Sequence, residues 1–485
     1  MSRQDALLTV CLEPSGCVRD SKVPADFNQS RWYLFADGEA RLHPHLSDLL
    51  CAYAAKRPEI DIFYGDEVVE ETSLNGPGLQ LCKPSFDRTQ IIAQDYIGWP
   101  LIVRGRALRK LGGLDLSAGS ALTYDLILRA QSEGIGIERI TEVLAVHSRP
   151  PPRSNADDRA AALDRWRRRT APGYDILPGL VDGTFQLRRR FADPPSVTLV
   201  VPTRQSFRED PNTSRPKPMI YHLLESIRLT EWPMDKLSIL IGDDVEDGSL
   251  YEDRRWPFRV DRVVTGRHRG ETFNYATKMN QLWRKAGDEH LVFMNDDLVV
   301  RKPDWLLALM TFAVNEEIGG VGARLLYPDD RIQHVGMPAG VLGPCTHAFI
   351  GRPATLRTYQ NWAEVHREWS IVTGAVFAIR KDALKRANGF DENFPLDFND
   401  VDLCLRLRLL GYRIVYTPFA EFTHYESASR SRMVYRSEEA ALFAERWQGF
   451  LADDPAYHPR LTRSSSDITP ARSETDWWVI PAAGR

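Results

Sequence analysis

The sequence lacks a long apolar run, an excess of charge of either sign and closely spaced cysteines. No stretch approaches the ~18 apolar residues needed to cross a bilayer, and the N-terminus has no secretory pattern of basic residues before an apolar core. Lys and Arg number 62 against 66 Asp and Glu, a net charge of −4, which disfavours a protein that wraps nucleic acid. The six cysteines form no CxxC pair, so we predict reduced thiols and no structural zinc site.

The sequence also lacks the glycine-rich phosphate loops of other nucleotide-binding classes. No GxGxxG follows a strand and no GxxxxGK[ST] occurs, which disfavours dinucleotide-dependent dehydrogenases and P-loop proteins. A nucleotidyltransferase would carry a glycine-rich loop after its first strand, where this chain has TRQSFREDPN.

The length and composition indicate a multidomain globular protein. At ~150 residues per domain, 485 residues with 43% hydrophobic content predict at least two domains. We predict a domain over residues 1–150, a linker with a small β element over 151–194, a larger domain over 195–450 and a polar tail over 451–485. The basic run Arg167, Arg168 and Arg169 in the linker is ordinarily a solvated face, and contact with anionic lipid head groups is the alternative.

Residues 196–314 alternate between apolar strands and helices. This alternation predicts an α/β fold with a doubly wound, mostly parallel sheet, in which ligands bind beyond the carboxyl ends of the strands. The strands VTLVVPTR, LSILIGDD and HLVFMNDD end in Thr203-Arg204, Asp243-Asp244 and Asn295-Asp296-Asp297. We therefore expect several carboxylates at one edge of the sheet.

The pair Asp296-Asp297 is the first chemical signal. Adjacent carboxylates at a strand end repel each other unless a cation compensates them, and hard oxygen ligands in a half-open site suit Mg²⁺ or Mn²⁺ holding a diphosphate. A bare Asn-Asp-Asp is most often a helix cap beside an exposed acid. The preceding apolar strand and the two other acidic strand ends favour the metal site here.

Two further segments carry candidate residues. Asp400 lies near a helix start, where the helix N-terminus stabilises its charged form, so it is either a cap or a general base toward a hydroxyl. His424 is followed by Ser427 and Arg430. A lone histidine is more often structural, but imidazole, hydroxyl and guanidinium groups together suit a metal-bound phosphate.

Six segments resemble, in order, family 2 glycosyltransferases of the GT-A fold, especially bacterial enzymes that build cell-surface polysaccharide. They are VTLVVPTR, LVFMNDDLVV, GARLLYPDDRIQHVGM, VTGAVFAIRKDALKRANGFDENF, FNDVDLCLRLRLLGYRIVYTP and THYESASR, and they cover most of residues 196–432. The resemblance implies that residues 195–450 are a catalytic GT-A domain, with a Rossmann-like, mostly parallel sheet flanked by helices.

The resemblance also implies a role for each motif residue. Asp297 and His424 would hold Mn²⁺ or Mg²⁺. Asp400 would be the catalytic base, although Asn399 stands where the family has Glu. The donor-binding residues that it implies are Thr203, Arg204, Asp243, Asp244, Asp296, Gly374, Ser427 and Arg430.

The first 150 residues resemble the same family less completely. The segment from RWYLFADGEA to IDIFYGDE looks like the region from the metal motif onward, with Asp37 and Glu39 as a DxD-like pair. Only about 30 residues precede Trp32, too few for the nucleoside-binding half, and Thr123 stands where the base should fall. We therefore expect a truncated, non-catalytic GT-A-like domain that serves structure or acceptor binding.

The resemblance implies an inverting, metal-dependent glycosyltransferase of hexosyl or deoxyhexosyl type. It would move a sugar from a nucleotide-diphosphate sugar to a hydroxyl of a glycan or lipid-linked glycan, in cell-surface polysaccharide biosynthesis. The alternative is a non-catalytic sugar-binding or scaffold protein of a polysaccharide assembly complex. We expect no nucleic-acid partner, and a cytoplasmic location with peripheral contact at the inner face of the cell membrane.

Overall fold

The computed structural model describes residues 7–12, 27–70, 79–150, 154–209, 216–252, 256–266, 272–425 and 437–471. The chain divides into two compact units. The first comprises Met1–Leu187, Tyr457–Thr462 and Thr469–Arg485, and the second comprises Arg188–Ala456 and Arg463–Ile468. None of the helices in the described ranges has both the length and the apolar character that a membrane crossing requires.

The first unit is built on a seven-stranded sheet. Its strands are β1 (Leu7–Leu12), β2 (Trp32–Asp37), β3 (Arg41–Leu42), β4 (Ile60–Val69), β5 (Leu79–Leu81), β6 (Leu101–Arg104) and β7 (Gly136–His147), and its helices are α1 (Leu46–Lys56), α2 (Gln90–Ala93), α3 (Gly105–Lys110) and α4 (Leu122–Ser132). The strand order is β1-β2-β6-β4-β7-β3, and β5 pairs with β4. Helix α1 buries Leu46 and Leu50 against the sheet residues Trp32, Ile60 and Phe63.

The segment that follows is more ordered than a simple linker. Helix α5 (Ala156–Thr170) begins after Asn155, whose side chain accepts a hydrogen bond from the Asp158 amide and so caps the helix. Two short strands, β8 (Tyr174–Pro178) and β9 (Phe185–Arg189), form the predicted small β element.

The second unit is built on a ten-stranded sheet. The unit has twelve strands in the described ranges, ten of them in this sheet: β10 (Val197–Thr203), β11 (Phe207–Glu209), β12 (Pro216–Pro218), β13 (Leu237–Asp243), β14 (Arg259–Val264), β15 (His290–Met294), β16 (Leu298–Val300), β17 (Ile318–Leu326), β18 (Ile332–His334), β19 (Arg367–Trp369), β20 (Val376–Arg380) and β21 (Arg413–His424). Its helices are α6 (Met219–Ile227), α7 (Ser249–Glu252), α8 (Tyr275–Lys285), α9 (Trp305–Ala313), α10 (Lys381–Arg386), α11 (Asn399–Leu409) and α12 (Ser437–Ala452). Strands β11 and β12 pair separately from the sheet.

The strand directions place the candidate carboxylates at one edge of this sheet. The order is β14-β13-β10-β15-β20-β17-β21-β16, and the first four strands, β14, β13, β10 and β15, run parallel to one another. Thr203 pairs with Asp243, so the two strands end together. The apolar runs of β10 and β13 are buried almost throughout, as expected for strands covered on both faces. The predicted α/β fold is confirmed.

The first sheet repeats the path of the second. Strands β1-β2-β6-β4-β7-β3 match β10-β15-β20-β17-β21-β16 in chain order and in spatial order. They also match in direction, because each path has the same alternation of parallel and antiparallel pairs. Within the described ranges, the first sheet has no counterpart of β13 and β14, which carry Asp243 and the segment after it.

Part of the chain that we predicted to be a polar tail is packed instead. Helix α12 extends to Ala452, and Tyr457, His458 and Leu461 beyond it are buried. His458 Nε2 lies 3.0 Å from Asp66 Oδ2 within the first unit. The segment is rich in Ser and Arg, so its composition predicts a polar tail. The few residues that are buried hold the segment in place. Residues 472–485 lie outside the described ranges.

Candidate functional site

Asp243, at the end of β13, is fully buried in a set of donors. Gln205 Nε2, the Tyr251 hydroxyl and Arg262 Nε donate to its Oδ2 at 2.8, 3.1 and 3.0 Å. Burial, and then the Asp243 charge, raises the pKa of Tyr251, so the phenol remains a donor. These contacts, together with the Val245 amide that donates to its Oδ1 at 3.0 Å, hold the carboxylate in one orientation at the sheet edge.

Asp244, the next residue, links strands β13 and β10. Lys278 on α8 donates to Asp244 Oδ1 at 2.8 Å and to the carbonyl of Thr203 at 3.2 Å, and its side chain is almost buried. Asp244 therefore joins β13 to the end of β10 through an ammonium group. Arg204 is exposed beside this contact and donates to Ser206 Oγ at 2.8 Å.

Asp296 and Asp297 follow β15 on the same edge. Thr203 Oγ1 donates to Asp296 Oδ2 at 2.6 Å, so the ends of β10 and β15 are linked. Burial raises the pKa of Asp296 to about 6; the Asp297 charge adds to the effect, and the hydrogen bond from Thr203 opposes it. This environment disfavours a second carboxylate charge unless a cation compensates it.

Asp297 and His424 come together through strand pairing. Leu298 pairs with His424 between β16 and β21, and His424 Nε2 lies 3.0 Å from Asp297 Oδ1. His424 Nδ1 lies 2.5 Å from Gln333 Oε1, an arrangement that places the ring proton on Nδ1 and leaves a lone pair on Nε2.

The resulting donor set fits a divalent cation. An imidazole nitrogen and a carboxylate oxygen 3.0 Å apart can both bind one divalent cation, and both atom types are ligands of Mn²⁺. The hydrogen bond from the other ring nitrogen to Gln333 is the usual support for a metal-binding histidine. Asp297 and His424 are therefore the residues that could hold the predicted Mn²⁺ or Mg²⁺.

Asp400 is the second residue of α11 and is half-buried. The Gly374 amide donates to its Oδ2 at 2.6 Å, and the Val401 amide donates to its Oδ1 at 2.9 Å. A Cβ atom at position 374 would lie 3.0 Å from the Asp400 Cβ, so this close approach favours glycine. Both amides stabilise the ionised carboxylate, as a general base requires.

A short segment before β20 connects this carboxylate to the metal motif. One residue beyond Gly374, the carbonyl of Ala375 accepts from the Asn295 amide at 3.0 Å. Asn295 directly precedes Asp296-Asp297. The structure thus ties Asp400 to the acidic strand end through two neighbouring residues.

Some residues that matter at this edge were not foreseen from the sequence. Lys278, Arg262 and Gln333 each hold a candidate residue, and the segments of Lys278 and Arg262 carry no motif that distinguishes them. Gln333 lies within the motif GARLLYPDDRIQHVGM, which gave the only available signal. Ser427 and Arg430, predicted to contact the donor, lie outside the described residues.

Helix α4 of the first unit reproduces the structural part of α11. Asp402 and Arg406 form an ion pair at 2.6 Å, and Asp125 and Arg129 form the same i,i+4 pair at 2.7 Å. Two residues before Asp125 stands Thr123, whereas Asp400 stands two residues before Asp402.

The first unit also changes the metal motif. His147 ends β7 as His424 ends β21, and the strand register makes Glu39 the counterpart of Asp297. Here Glu39 forms an exposed ion pair with Arg149 at 2.6 Å, and His147 Nε2 lies 3.2 Å from the buried Glu67. The counterparts of Asp297 and His424 thus each have another charged partner.

Several known proteins are similar to this chain in sequence. The chain is 27% identical over 462 residues to an uncharacterized protein, y4gI, of Sinorhizobium fredii, covering 89% of this chain and 48% of that one. It is 28% identical over 467 residues to the O-antigen biosynthesis protein RfbC of Myxococcus xanthus, covering 91% and 34%. It is also 28% identical over 291 residues to N-acetylglucosaminyl-diphospho-decaprenol L-rhamnosyltransferase of Mycobacterium tuberculosis, covering 56% and 85%.

The chain spans about half the length of the first of these relatives and a third of the second. Among solved structures, it is similar to the mannosyltransferase PcManGT of Pyrobaculum calidifontis, in complex with GDP-Man and Mn²⁺, with 20% identity, a TM-score of 0.38 and coverage of 69% and 78%. Residues 194–448 match the family described as "Glycosyltransferase like family 2". This match covers more than half of the chain, which therefore belongs to glycosyltransferase family 2.

Proposed function

We propose that the protein is an inverting, divalent-metal-dependent glycosyltransferase that uses a nucleotide-diphosphate sugar. The observation that carries this proposal is the link from Asp400 to the metal motif. Gly374 donates to Asp400 at 2.6 Å, and the adjacent Ala375 accepts from Asn295 at 3.0 Å. A charged base and a candidate cation site are thereby fixed on one edge of one sheet.

The proposed reaction is a single displacement. A divalent cation bound by Asp297 and His424 would offset the charge of the leaving nucleoside diphosphate. Asp400 accepts the proton of the acceptor hydroxyl while that oxygen forms its bond to the anomeric carbon. The bond from the anomeric carbon to the diphosphate breaks on the opposite face, and its electron pair leaves with the diphosphate. Configuration is inverted, and the proton remains on Asp400.

Donor binding is assigned to the ends of β10 and β13. Thr203, Arg204 and Asp243 lie along the edge at which the nucleoside would bind. Asp296 would lie near the ribose or the metal, and Gly374 would allow close approach of the donor sugar. Asp244 is engaged by Lys278, and in this proposal it supports the site and binds no donor directly.

The acceptor is proposed to be a lipid-linked glycan of a cell-surface polysaccharide. The support is the names of two relatives, one an O-antigen biosynthesis protein and the other a rhamnosyltransferase that acts on a diphospho-decaprenol compound. On the same grounds we propose a hexose or deoxyhexose donor. Such an enzyme would work at the inner face of the cell membrane.

The basic end of α5 is the proposed site of membrane contact. Arg167 and Arg168 both pair with Asp164, at 2.7 and 2.6 Å, and Arg168 is 73% exposed. Because Asp164 offsets part of their charge, Arg169 would contribute most to attraction by anionic lipid. Flotation with phosphatidylglycerol vesicles should be reduced by charge reversal of all three arginines and should be unaffected by reversal of Arg284, a control. Equal flotation of both variants would contradict the contact.

The defining experiment measures nucleoside diphosphate release from UDP-, dTDP- and GDP-sugars with Mn²⁺ or Mg²⁺. Wild type should release one diphosphate in a metal-dependent manner, and both Asp297→Ala and Asp400→Asn should lose release. Donor binding by calorimetry should be lost only in Asp297→Ala. Absence of both release and donor binding in wild type would contradict the proposal and would favour a non-catalytic scaffold.

The first unit is proposed to be a non-catalytic copy. The support is Thr123 at the position of the base and the ion pair of Glu39 with Arg149. Calorimetry on the whole chain should therefore find one donor site per chain. A second site that survives in Asp297→Ala would show that the first unit binds nucleotide-sugar.

A further inference from the structure

Two imidazoles are hydrogen-bonded in series to the segment before β20 that contacts Asp400. His334, at the end of β18, is fully buried, and its Nδ1 lies 2.8 Å from Nδ1 of the half-buried His347. The rings are nearly perpendicular, at 82°, with centroids 4.9 Å apart. On its other side, His334 Nε2 accepts from the Thr373 amide at 3.3 Å.

These contacts determine where the ring protons lie. Because His334 Nε2 accepts from a backbone amide, the proton of the neutral ring is on Nδ1, which donates it to His347 Nδ1. His347 then carries its own proton on Nε2. Burial lowers the pKa of His334 well below its usual range; burial, with His424 nearby, lowers the pKa of His347 to about 4. Both rings are therefore neutral at neutral pH, and the directed chain is maintained.

The chain continues from the imidazoles to the carboxylate. The Thr373 amide donates a hydrogen bond to His334 Nε2, and the next amide along the chain, that of Gly374, donates to Asp400 Oδ2 at 2.6 Å. Ala375 is fixed in turn by Asn295. Three consecutive residues are thus held by three different partners, and a displacement at Thr373 is transmitted to Asp400 over one peptide unit.

We propose that His334 and His347 are positioning residues for Asp400. They hold the Thr373 amide so that the Gly374 amide stays directed at the carboxylate. This inference rests on the proposed role of Asp400 as the base. Neither imidazole needs to touch the substrate or exchange a proton for this role.

The first unit offers an internal comparison. Arg104 pairs with the first residue of β2 and Arg380 pairs with the first residue of the corresponding strand, β15, so the two arginines occupy equivalent positions. Counting from them along the paired strands makes Leu81 on β5 the counterpart of His334 on β18. The first unit thus has leucine in place of the imidazole and Thr123 in place of the carboxylate. It retains the ion pair of Asp125 and Arg129. The imidazole and the carboxylate are absent together, as expected if one serves the other.

The test uses matched pairs of variants in the whole chain. His334→Gln keeps an acceptor near the position of Nε2, and His334→Met removes it. His347→Asn keeps an acceptor near the position of Nδ1. His347→Leu, whose side chain has a shape similar to that of asparagine, removes it. His366→Met is the control, because His366 is a buried imidazole that packs on Phe312 and Phe419 in the same unit.

Two readouts separate positioning from folding. We expect His334→Met and His347→Leu to lower kcat by about ten- to a hundredfold with little change in the donor KM. His334→Gln and His347→Asn should recover most of this loss. Deuterium exchange of the peptide that spans residues 371–378 should accelerate in the first two variants and not in the control.

Wild-type kcat and wild-type exchange in His334→Met would overturn the proposal, and so would a Gln variant no better than the Met variant in both readouts. The exchange readout is independent of transferase activity. If wild type transfers no sugar while the exchange pattern is as expected, the proposed function fails and the positioning role stands.

Discussion

The two acids at the start of α11 should separate catalysis from stability. Asp402 is fully buried and accepts from Arg406 Nε, Arg446 Nη1 and Trp447 Nε1 at 2.6, 2.9 and 3.0 Å. Asp400, two residues earlier, is half-buried and accepts from two backbone amides. Substitution of each by asparagine makes the same chemical change in two different environments.

The expected magnitudes differ in kind. Asp402→Asn removes the charge that two arginines share, and breaking a buried ion pair costs about 3–5 kcal/mol. Because Arg406 and Arg446 are 22% and 31% exposed, we expect the lower end, about 3 kcal/mol, or roughly 6–12 °C in the unfolding midpoint. Asp400→Asn replaces one acceptor oxygen by an amide NH2 group, so one of the two backbone amides loses its acceptor, at a cost of about 1 kcal/mol. It also removes the base, which lowers kcat by about 10²–10⁴-fold.

The assay combines calorimetric unfolding with diphosphate release at about 20 °C in the presence of acceptor. Asp402→Asn should unfold earlier yet keep most of its kcat while folded, and Asp400→Asn should unfold near the wild-type midpoint with little turnover. The reasoning is refuted if folded Asp402→Asn is inactive while Asp400→Asn turns over at the wild-type rate.

Three further perturbations have defined outcomes. Burial lowers the pKa of His366 to about 3. Because an unfolded histidine binds a proton below pH ~6.5 and the folded one does not, the free energy of unfolding of wild type falls as the pH drops from there. Between pH 7.5 and 5, denaturant titrations should show that the free energy of unfolding of His366→Met rises by about 2 kcal/mol relative to that of wild type. Gly374→Ala places a methyl group 3.0 Å from the Asp400 Cβ and should lower kcat about a hundredfold at constant donor affinity; an unchanged kcat would contradict the close packing. Gln333→Leu should weaken Mn²⁺ binding about ten- to a hundredfold in calorimetry by freeing His424 Nδ1, and equal affinity would argue against His424 as a ligand.

The strands and the acidic edge could be predicted because their signals are local. The apolar runs before Thr203, Asp243 and Asp296 mark strands, and parallel strands bring their carboxyl ends to one edge whatever the rest of the fold does. Helix α11 was likewise anticipated from its periodicity, and the pairing of Asp402 with Arg406 follows from four-residue spacing.

The supporting contacts could not be predicted because they depend on register between distant strands. Gln333 reaches His424 only after β18 and β21 have both joined β17. His334 reaches Thr373, which lies just before β20, only after β18 and β20 have both joined β17. Lys278 reaches Asp244 from the helix between two strands. No local pattern encodes these distances, and the three side chains look like ordinary polar residues in the sequence.

The contact between His458 and Asp66 has a consequence for synthesis of the chain. Both residues are fully buried within the first unit, yet about 390 residues separate them in the sequence. At the usual rate of translation, about 5–20 residues per second, the histidine emerges roughly 20–80 s after the aspartate. During that interval the nascent first unit lacks the imidazole that covers this carboxylate. Its last folding step must therefore wait until the ribosome has synthesised the segment that carries His458.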